Sequence, residues 1–145
     1  PSYGAEMRGG TVNCEVVASD EEVSAVNKID TDYVIALNQA SFDRFLKKIK
    51  TGGHMIANST LVKEIKNRAD INYLFAPITK LAEELGNVKM ANILAVGVLA
   101  KASKMVSMEH LMQALDTVLP PHRKNLLPLN IKALKIGYEY DLLPA

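Results

Sequence analysis

Residues 33–57 read YVIALNQASFDRFLKKIKTGGHMIA, and this stretch decides the fold. It opens with a continuous apolar run, residues 33–37, which is typical of a strand buried on both faces. Apolar side chains then recur at helical spacing, and two glycines precede a second apolar run at residues 55–57. A third run follows at residues 71–76. The order strand, helix, strand, intervening segment, strand predicts a parallel sheet with helices packed against it.

The helix within this stretch is predicted to extend to about residue 50. Lysines crowd its last turn, where positive charge complements the helix dipole. Gly52 and Gly53 are expected to end it. Its apolar stripe comprises Phe42, Phe45, Leu46 and Ile49.

On the N-terminal side, residues 11–18 alternate between apolar and polar side chains. A period of two predicts a half-exposed strand. Val12, Cys14 and Val16 would form its buried face, which makes Cys14 an inert buried thiol rather than a nucleophile.

The C-terminal half is predicted to be helical. Residues 78–85 and 88–104 form two helices split at Gly86-Asn87, and the second is apolar nearly all round, so we expect it to be central and buried. Within it, Asn92 is predicted to be a buried amide bonded to neighbouring backbone. Ser107 is predicted to cap the next helix, and a last helix follows Pro120-Pro121. The predicted fold class is α/β, a single three-layer Rossmann-like domain over residues 1–145 with a largely parallel sheet flanked by helices.

The composition limits the classes of function. Net charge is +1, from 17 basic and 16 acidic residues among 145. This balance gives no electrostatic reason to expect nucleic acid or an anionic membrane as a partner. No apolar run approaches the roughly 20 residues that span a bilayer. The single cysteine fits a reducing cytoplasm.

The chain lacks the motifs of several kinds of catalytic site. One cysteine cannot hold an iron–sulfur cluster, and His54, His110 and His122 fall on three separate predicted elements. Neither a Walker loop nor a G-x-S-x-G elbow occurs, and the acidic-glycine metal motif of thiamine diphosphate enzymes is also absent. The sequence therefore predicts no catalytic residue, no metal site and no cofactor bound by this chain alone.

The best candidate site is the opening segment, residues 2–10, which reads SYGAEMRGG. The guanidinium of Arg8 suits phosphate or carboxylate, and Gly9-Gly10 let a ligand or partner approach the backbone closely. Two interpretations stay open. The segment is either a loop that receives an anion or a neighbouring subunit, or an ordinary glycine-rich turn with a local Glu6–Arg8 ion pair.

Polar residues also follow two of the predicted strands. Asn38 comes after the first strand, and Asn58-Ser59 comes after the second. The carboxyl ends of strands in an open α/β sheet are where ligands bind. Each asparagine either caps the backbone that follows it or faces a ligand.

The opening residues 2–14, SYGAEMRGGTVNC, resemble the signature of the gamma subunit, or gamma-like domain, of 2-oxoacid:ferredoxin oxidoreductases. The resemblance continues, in the expected order, through residues 33–39, 58–59, 86–92 and 130–137. Ala5 departs from the family pattern, where many relatives have proline. The strand, glycine-rich turn and helix with which the family normally begins are not in this sequence, so the true start is expected to lie upstream.

The resemblance implies a non-catalytic gamma subunit of a cytoplasmic enzyme that converts a 2-oxoacid and coenzyme A to acyl-coenzyme A, carbon dioxide and reduced ferredoxin. It also implies that thiamine-type and ferredoxin-type partner subunits carry thiamine diphosphate, magnesium and iron–sulfur clusters. Related gamma parts serve pyruvate, 2-oxoglutarate, branched-chain and aryl oxoacids, and the opening motif favours 2-oxoglutarate. The residues implied at the coenzyme A or subunit-facing side are Arg8, Gly9 and Gly10, with Ser2, Tyr3 and Glu6 shaping their loop and Asn38, Asn58 and Ser59 in second rank.

Two alternatives belong to other classes of protein. One is a purely architectural subunit whose Arg8 loop serves assembly and touches no cofactor. The other is an independent Rossmann-like protein that binds a small molecule.

Overall fold

The sheet is built from the three apolar runs that the sequence places first. A computed structural model describes residues 12–20 and 30–144 of the chain. Three parallel strands, β1 (Thr31–Ala36), β2 (Ile49–Asn58) and β3 (Asn72–Ala76), lie side by side in that order. A short strand, β4 (Leu143–Pro144), pairs antiparallel with β3. The predicted parallel sheet is therefore confirmed.

The sheet is buried on both faces, as its unbroken apolar strands predict. Met55 and Ala57 of β2 belong to a core on one face, together with Phe42, while Ile56 between them belongs to a core on the other face. This alternation follows from the two-residue repeat of a strand. The molecule thus has three layers, and the predicted α/β class is confirmed.

In the described part of the chain, four α-helices cover the two faces and a fifth packs against one of the four. One short helix, α1 (Gln39–Phe45), supplies Phe42 to the first core. The second core is covered by α2 (Ile78–Glu84), α3 (Ala91–Ser103) and α5 (Leu127–Glu139). The amphipathic helix α4 (Met108–Val118) has no fully buried residue. Its N-cap is Ser107, as predicted, because the Ser107 side chain accepts a hydrogen bond from the His110 backbone N–H at 3.3 Å.

Helix α1 is shorter than the spacing of its apolar residues predicts. It ends at Phe45, a 3₁₀ turn covers Leu46–Lys48, and Ile49 already begins β2. The predicted helix to residue 50 is wrong, because Ile49 remains buried equally well as the first residue of a strand.

The two glycines lie within β2 rather than at a helix end. Thr31 is opposite Ile49 and Tyr33 is opposite His54, so β2 advances five residues while β1 advances two. Gly52 has φ +79, and a Cβ on Gly53 would lie 2.9 Å from the Asp32 carbonyl oxygen. Glycine is therefore required by an irregular bulge.

The segment before β1 is not the predicted strand. Residues 12–20 have no regular secondary structure, and none of the described strands pairs with them. Val12 and Val16 are 63% and 84% exposed, and Cys14 is exposed as well. The predicted buried thiol is also wrong, because alternation alone supplies no neighbouring strand to cover the apolar side.

Helices α3 and α5 cross with their backbones in contact. A Cβ on Gly97 would lie 2.9 Å from the Tyr138 nitrogen, and one on Gly137 would lie 3.0 Å from the Leu94 carbonyl carbon. No side-chain layer fits between the helices at this point. Helix α3 is central, as expected, but Asn92 is exposed on its outer side, so its predicted burial is wrong.

Candidate functional site

The carboxyl ends of the three parallel strands meet at one edge of the sheet. Asn38 follows β1, Asn58 ends β2, and Thr79 stands just after β3 in the first turn of α2. Asn58 and Thr79 are in direct contact. Because Asn38, Asn58 and Ser59 all lie at or just after the carboxyl end of a strand, these candidate residues share one edge of the sheet.

Asn58 holds the edge together from inside the protein. It is 1% exposed. Its amide nitrogen donates to the Leu37 carbonyl oxygen at 3.0 Å and to the Thr79 hydroxyl at 2.8 Å. Its amide oxygen accepts from the backbone N–H groups of Thr79 at 3.2 Å and Thr60 at 3.3 Å. All four hydrogen-bonding positions of the amide are in use, so Asn58 positions the edge.

Asn38 and Gln39 act on the backbone near β1. The Asn38 side-chain oxygen accepts from the Ser41 backbone N–H at 2.9 Å, so Asn38 caps α1. The Gln39 side-chain oxygen accepts from the backbone N–H groups of Lys63 and Glu64 at 2.9 and 3.0 Å. Its nitrogen donates to the Glu64 carbonyl oxygen at 2.9 Å. Gln39 thereby ties the loop after β2 to the start of α1.

The outer surface of the edge carries hydroxyl and ammonium groups. Ser59 is partly exposed, and its hydroxyl has no hydrogen-bond partner among the described residues. The Lys63 ammonium donates to the Ser59 carbonyl oxygen at 2.9 Å. The Lys80 backbone N–H donates to the Thr60 hydroxyl at 3.2 Å, which places the exposed Lys80 on the same edge. These groups suit the binding of an anion.

Gln39 and Thr79 are contributors that sequence reasoning missed. Both act across more than 20 positions of sequence, through the loop after β2 and through Asn58. No spacing rule reveals such contacts. The three strand ends were the signal available, because parallel strands must meet at one edge.

The six candidate residues of the opening segment lie outside the described part of the chain. They are Ser2, Tyr3, Glu6, Arg8, Gly9 and Gly10.

The opposite edge of the sheet holds an ion pair. The Arg68 guanidinium contacts the Asp70 carboxylate at 2.6 Å and also donates to the Leu46 and Ile49 carbonyl oxygens at 2.8 Å. The hydrogen bond from Arg68, and then one from Thr51, lowers the pKa of Asp70, while Asp70 raises the pKa of Arg68. The arrangement fastens the bulge of β2 to the turn before β3.

Within residues 12–20 and 30–144 there is no group of three or more His, Cys, Asp or Glu side chains placed to hold a metal ion. Over the same ranges, no helix has the length and apolar character that crossing a bilayer requires.

The comparison with known families identifies the class of protein. Residues 1–140 match the family described as pyruvate ferredoxin/flavodoxin oxidoreductase. The chain belongs to this family, and the resemblance carried by its opening motif is confirmed.

Within the family, the chain is similar to subunits of 2-oxoacid oxidoreductases. It is 34% identical to 2-oxoglutarate synthase subunit KorC of Methanocaldococcus jannaschii, over 95% of this chain and 73% of that protein. It is 31% identical to KorC of Methanothermobacter marburgensis, over 95% of this chain and 76% of that protein. Ketoisovalerate oxidoreductase subunit VorA of Methanothermobacter thermautotrophicus is 29% identical, with 97% of this chain covering 29% of VorA.

Two solved structures share the fold. The gamma subunit of a keto/oxoacid ferredoxin oxidoreductase from Geobacter sulfurreducens matches with a TM-score of 0.69 at 28% identity, covering 74% of this chain and 62% of that one. The 2-oxoglutarate:ferredoxin oxidoreductase from Magnetococcus marinus, solved with 2-oxoglutarate, coenzyme A and succinyl-CoA bound, also matches with a TM-score of 0.69. At 20% identity, over 82% of this chain and 21% of that one, the second likeness is one of fold.

Proposed function

We propose that this chain is the gamma subunit of a cytoplasmic 2-oxoacid:ferredoxin oxidoreductase and that it contributes to coenzyme A binding and to assembly of the enzyme. The observation that carries the proposal is the family match over residues 1–140, which includes the whole opening motif. Thiamine diphosphate, magnesium and iron–sulfur clusters belong, in this proposal, to thiamine-type and ferredoxin-type partner subunits.

The strand-end edge supports a binding role. The side chains of Asn58 and Gln39 hold the backbone of this edge through several hydrogen bonds each. The hydroxyl and ammonium groups on its outer surface are therefore positioned before a ligand binds. The ammonium of Lys63 and the hydroxyl of Ser59 then face the anionic side of the ligand. In the proposal, Arg8 supplies a guanidinium to a phosphate group of coenzyme A, and Gly9-Gly10 allow its close approach.

The relatives favour 2-oxoglutarate as the oxoacid. The KorC proteins of M. marburgensis and M. jannaschii are subunits of 2-oxoglutarate synthases and match this chain over 76% and 73% of their length, whereas the ketoisovalerate relative matches over 29% of its length. In the assembled enzyme, we expect the kcat/KM for ferredoxin reduction with 2-oxoglutarate to exceed the values with pyruvate and 3-methyl-2-oxobutanoate. A higher value with either competitor would assign another oxoacid.

Calorimetric titration of coenzyme A into the isolated chain and into the assembled enzyme tests the binding role. Arg8→Ala is expected to raise the Kd for coenzyme A by about tenfold or more, because a charge-assisted hydrogen bond to phosphate is lost. Lys89→Ala, which removes an exposed cation elsewhere, is the matched control and should leave the Kd unchanged. Dephospho-coenzyme A identifies whether the 3′-phosphate is the group that Arg8 meets.

The same titration separates the alternative functions. An unchanged coenzyme A affinity together with a broken complex would favour the purely architectural subunit. Purification of the native chain as a lone monomer, with no oxidoreductase subunits attached, would favour the independent small-molecule binding protein.

A further inference from the structure

Helix α5 has two unlike faces. Its inner face packs against the rest of the protein. The buried residues of that face are Asn130, Ala133, Leu134 and Gly137. A groove of about 480 Å³ runs along another side of the same helix. We call this surface the α5 groove; its lining residues are Leu127, Pro128, Ile131, Lys132 and Lys135. At 100° per residue, Pro128, Lys132 and Lys135 point away from the inner face, while Leu127 and Ile131 lie along its border.

The groove is apolar along its floor and positively charged along its rim. Leu127 and Ile131 are half-buried, while Lys132 and Lys135 are exposed. Neither lysine forms an ion pair with any described residue. By contrast, Lys124 in the preceding turn is neutralised by Asp116, at 2.7 Å.

The positive charge is local. From Pro121 to the end of α5 at Glu139 the sequence contains four Lys and Arg residues and one acidic residue, Glu139 itself, although the whole chain carries a net charge of only +1. Arg123 and the two groove lysines are the members of this set without an acidic partner in the described structure. A surface with apolar side chains between uncompensated cations complements an apolar segment with acidic flanks.

The groove lies on the surface of a single helix, so it presents the rows of side chains that any α-helix presents to a packing partner. All five lining residues come from α5, in rows spaced four positions apart. Leu127, Ile131 and Lys135 form one row, and Pro128 and Lys132 form the next. The grooves between such rows receive the ridges of a second helix in helix–helix packing.

We propose that the α5 groove docks an acidic, amphipathic helix of another subunit of the oxidoreductase. This inference rests on the proposed function, because it requires partner subunits. The ketoisovalerate relative supports it, since the region similar to this chain makes up 29% of that polypeptide and the rest is joined to it covalently. The apolar side chain of the partner enters the groove between Leu127 and Ile131, and its carboxylates meet Lys132 and Lys135.

The test compares two charge-reversed versions of the complex. Lys132→Glu/Lys135→Glu is expected to raise the Kd for assembly with the partner subunits by roughly tenfold or more, and to reduce its salt dependence. Lys47→Glu/Lys89→Glu changes the net charge equally at exposed positions outside the groove and should leave the Kd unchanged. Equal thermal melting of both doubles establishes that folding is intact, and Lys132→Gln/Lys135→Gln replaces the first variant if it melts early.

Zero-length carbodiimide cross-linking of the native complex identifies the occupant directly. The expected product joins Lys132 or Lys135 to an Asp or Glu of another subunit. The proposal is overturned if the links lead to carboxylates of this chain or of a second copy, if both doubles weaken assembly equally, or if assembly is unchanged. Binding of duplex DNA or of anionic phosphatidylserine vesicles to the native complex, lost only in the groove variant, would also overturn it.

Failure of this inference is distinguishable from failure of the proposed function. If only the inference fails, the oxidoreductase assembles normally and the groove variant assembles with it. If the proposed function fails, the native chain purifies without thiamine-type or ferredoxin-type subunits at all.

Discussion

Asn58 illustrates how one side chain can organise a strand end without meeting a ligand. Its amide joins the end of β1 to the start of α2, and its own backbone carbonyl accepts from the N–H groups of Leu61 and Val62 at 3.0 and 2.9 Å. Three segments that are distant in sequence therefore depend on one buried amide. Such a network is costly to interrupt, because each abandoned group stays out of reach of water.

Replacing Asn58 with alanine is expected to destabilise the fold by about 2–4 kcal/mol. The Leu37 carbonyl and the Thr79 N–H would each lose a partner in the protein interior. Urea denaturation measures the change. Ser59→Ala, one residue further along and without a hydroxyl partner in the described structure, is the control and should lie within about 0.5 kcal/mol of the parent. Equal losses in the two variants would contradict this account of Asn58.

The Arg68–Asp70 pair predicts a pH-dependent stability. The pKa of Asp70 is lowered in the folded protein, chiefly by its hydrogen bond from Arg68. The stability that this carboxylate contributes is therefore present above its unfolded pKa of about 4 and is lost as the pH falls through the lower folded value. Asp70→Asn should be less stable than the parent at pH 7, and the difference should shrink below about pH 4.

Chemical denaturation at several pH values between about 2.5 and 7 measures this difference. Asn67→Ala, an exposed neutral neighbour, is the control, and its difference from the parent should not vary with pH. A constant difference for Asp70→Asn would mean that the carboxylate gains nothing from Arg68 in the folded state.

At the residue level, sequence reasoning identified positions better than roles. The strand ends at Asn38 and Asn58 were predicted correctly, because the apolar runs before them are unambiguous. Whether each amide caps backbone or faces outward depends on distant partners such as Thr79, which no local pattern contains. The burial of Cys14 and Asn92 was predicted wrongly for the same reason. Alternation and helical periodicity show which residues share a face, but they do not show whether a neighbouring element covers that face.

Among the elements, α3 and α5 cross with direct backbone contact at Gly97 and Gly137. Glycine lowers helix propensity by about 1 kcal/mol relative to alanine, yet Gly97 and Gly137 stand at facing positions in two helices. Their cost in propensity is offset by close backbone approach, which lets Leu94, Val98 and Leu134 be almost completely buried.

Gly97→Ala is therefore expected to destabilise the protein by about 2–3 kcal/mol, despite the better helix propensity of alanine. The added Cβ would collide with the backbone at Leu134 and Tyr138, and backbone cannot move aside as a side chain can. Thermal melting followed by circular dichroism provides the measurement.

Asn92→Ala is the matched control, because Asn92 is exposed on the same helix. It should change the stability by no more than about 0.5 kcal/mol, because Asn92 is an exposed residue in the first turn of α3. If Gly97→Ala did not destabilise the protein, the two helices would have to lie further apart than the structure places them.

Element boundaries were harder to predict than element types. The stripe Phe42, Leu46 and Ile49 fits a helix, but it also fits a helix that ends at Phe45 before a strand that begins at Ile49. All three side chains are buried in the observed structure, and a longer helix would also place them on one face, so the apolar pattern is compatible with both boundaries. The register with β1 settles the boundary, and register is a property of two strands together.

At the level of the whole molecule, the three-layer arrangement follows almost entirely from the sequence. Strands that are apolar on both faces require cover on both sides, and the helical stripes provide it. The short β4 and the exposed segment before β1 did not follow, because each depends on which edge of the sheet is available. The candidate site was predictable as an edge, and its hydrogen-bond network was not.

Because the main chains of α3 and α5 are in contact, no side chains lie between the two helices at the crossing that could rearrange if α5 moved. A displacement of α5 is therefore expected to move α3 with it, and α3 in turn packs on the sheet through Leu94 and Val98. Docking of a partner subunit in the α5 groove is therefore expected to slow amide exchange in α3, although α3 contributes no residue to that groove.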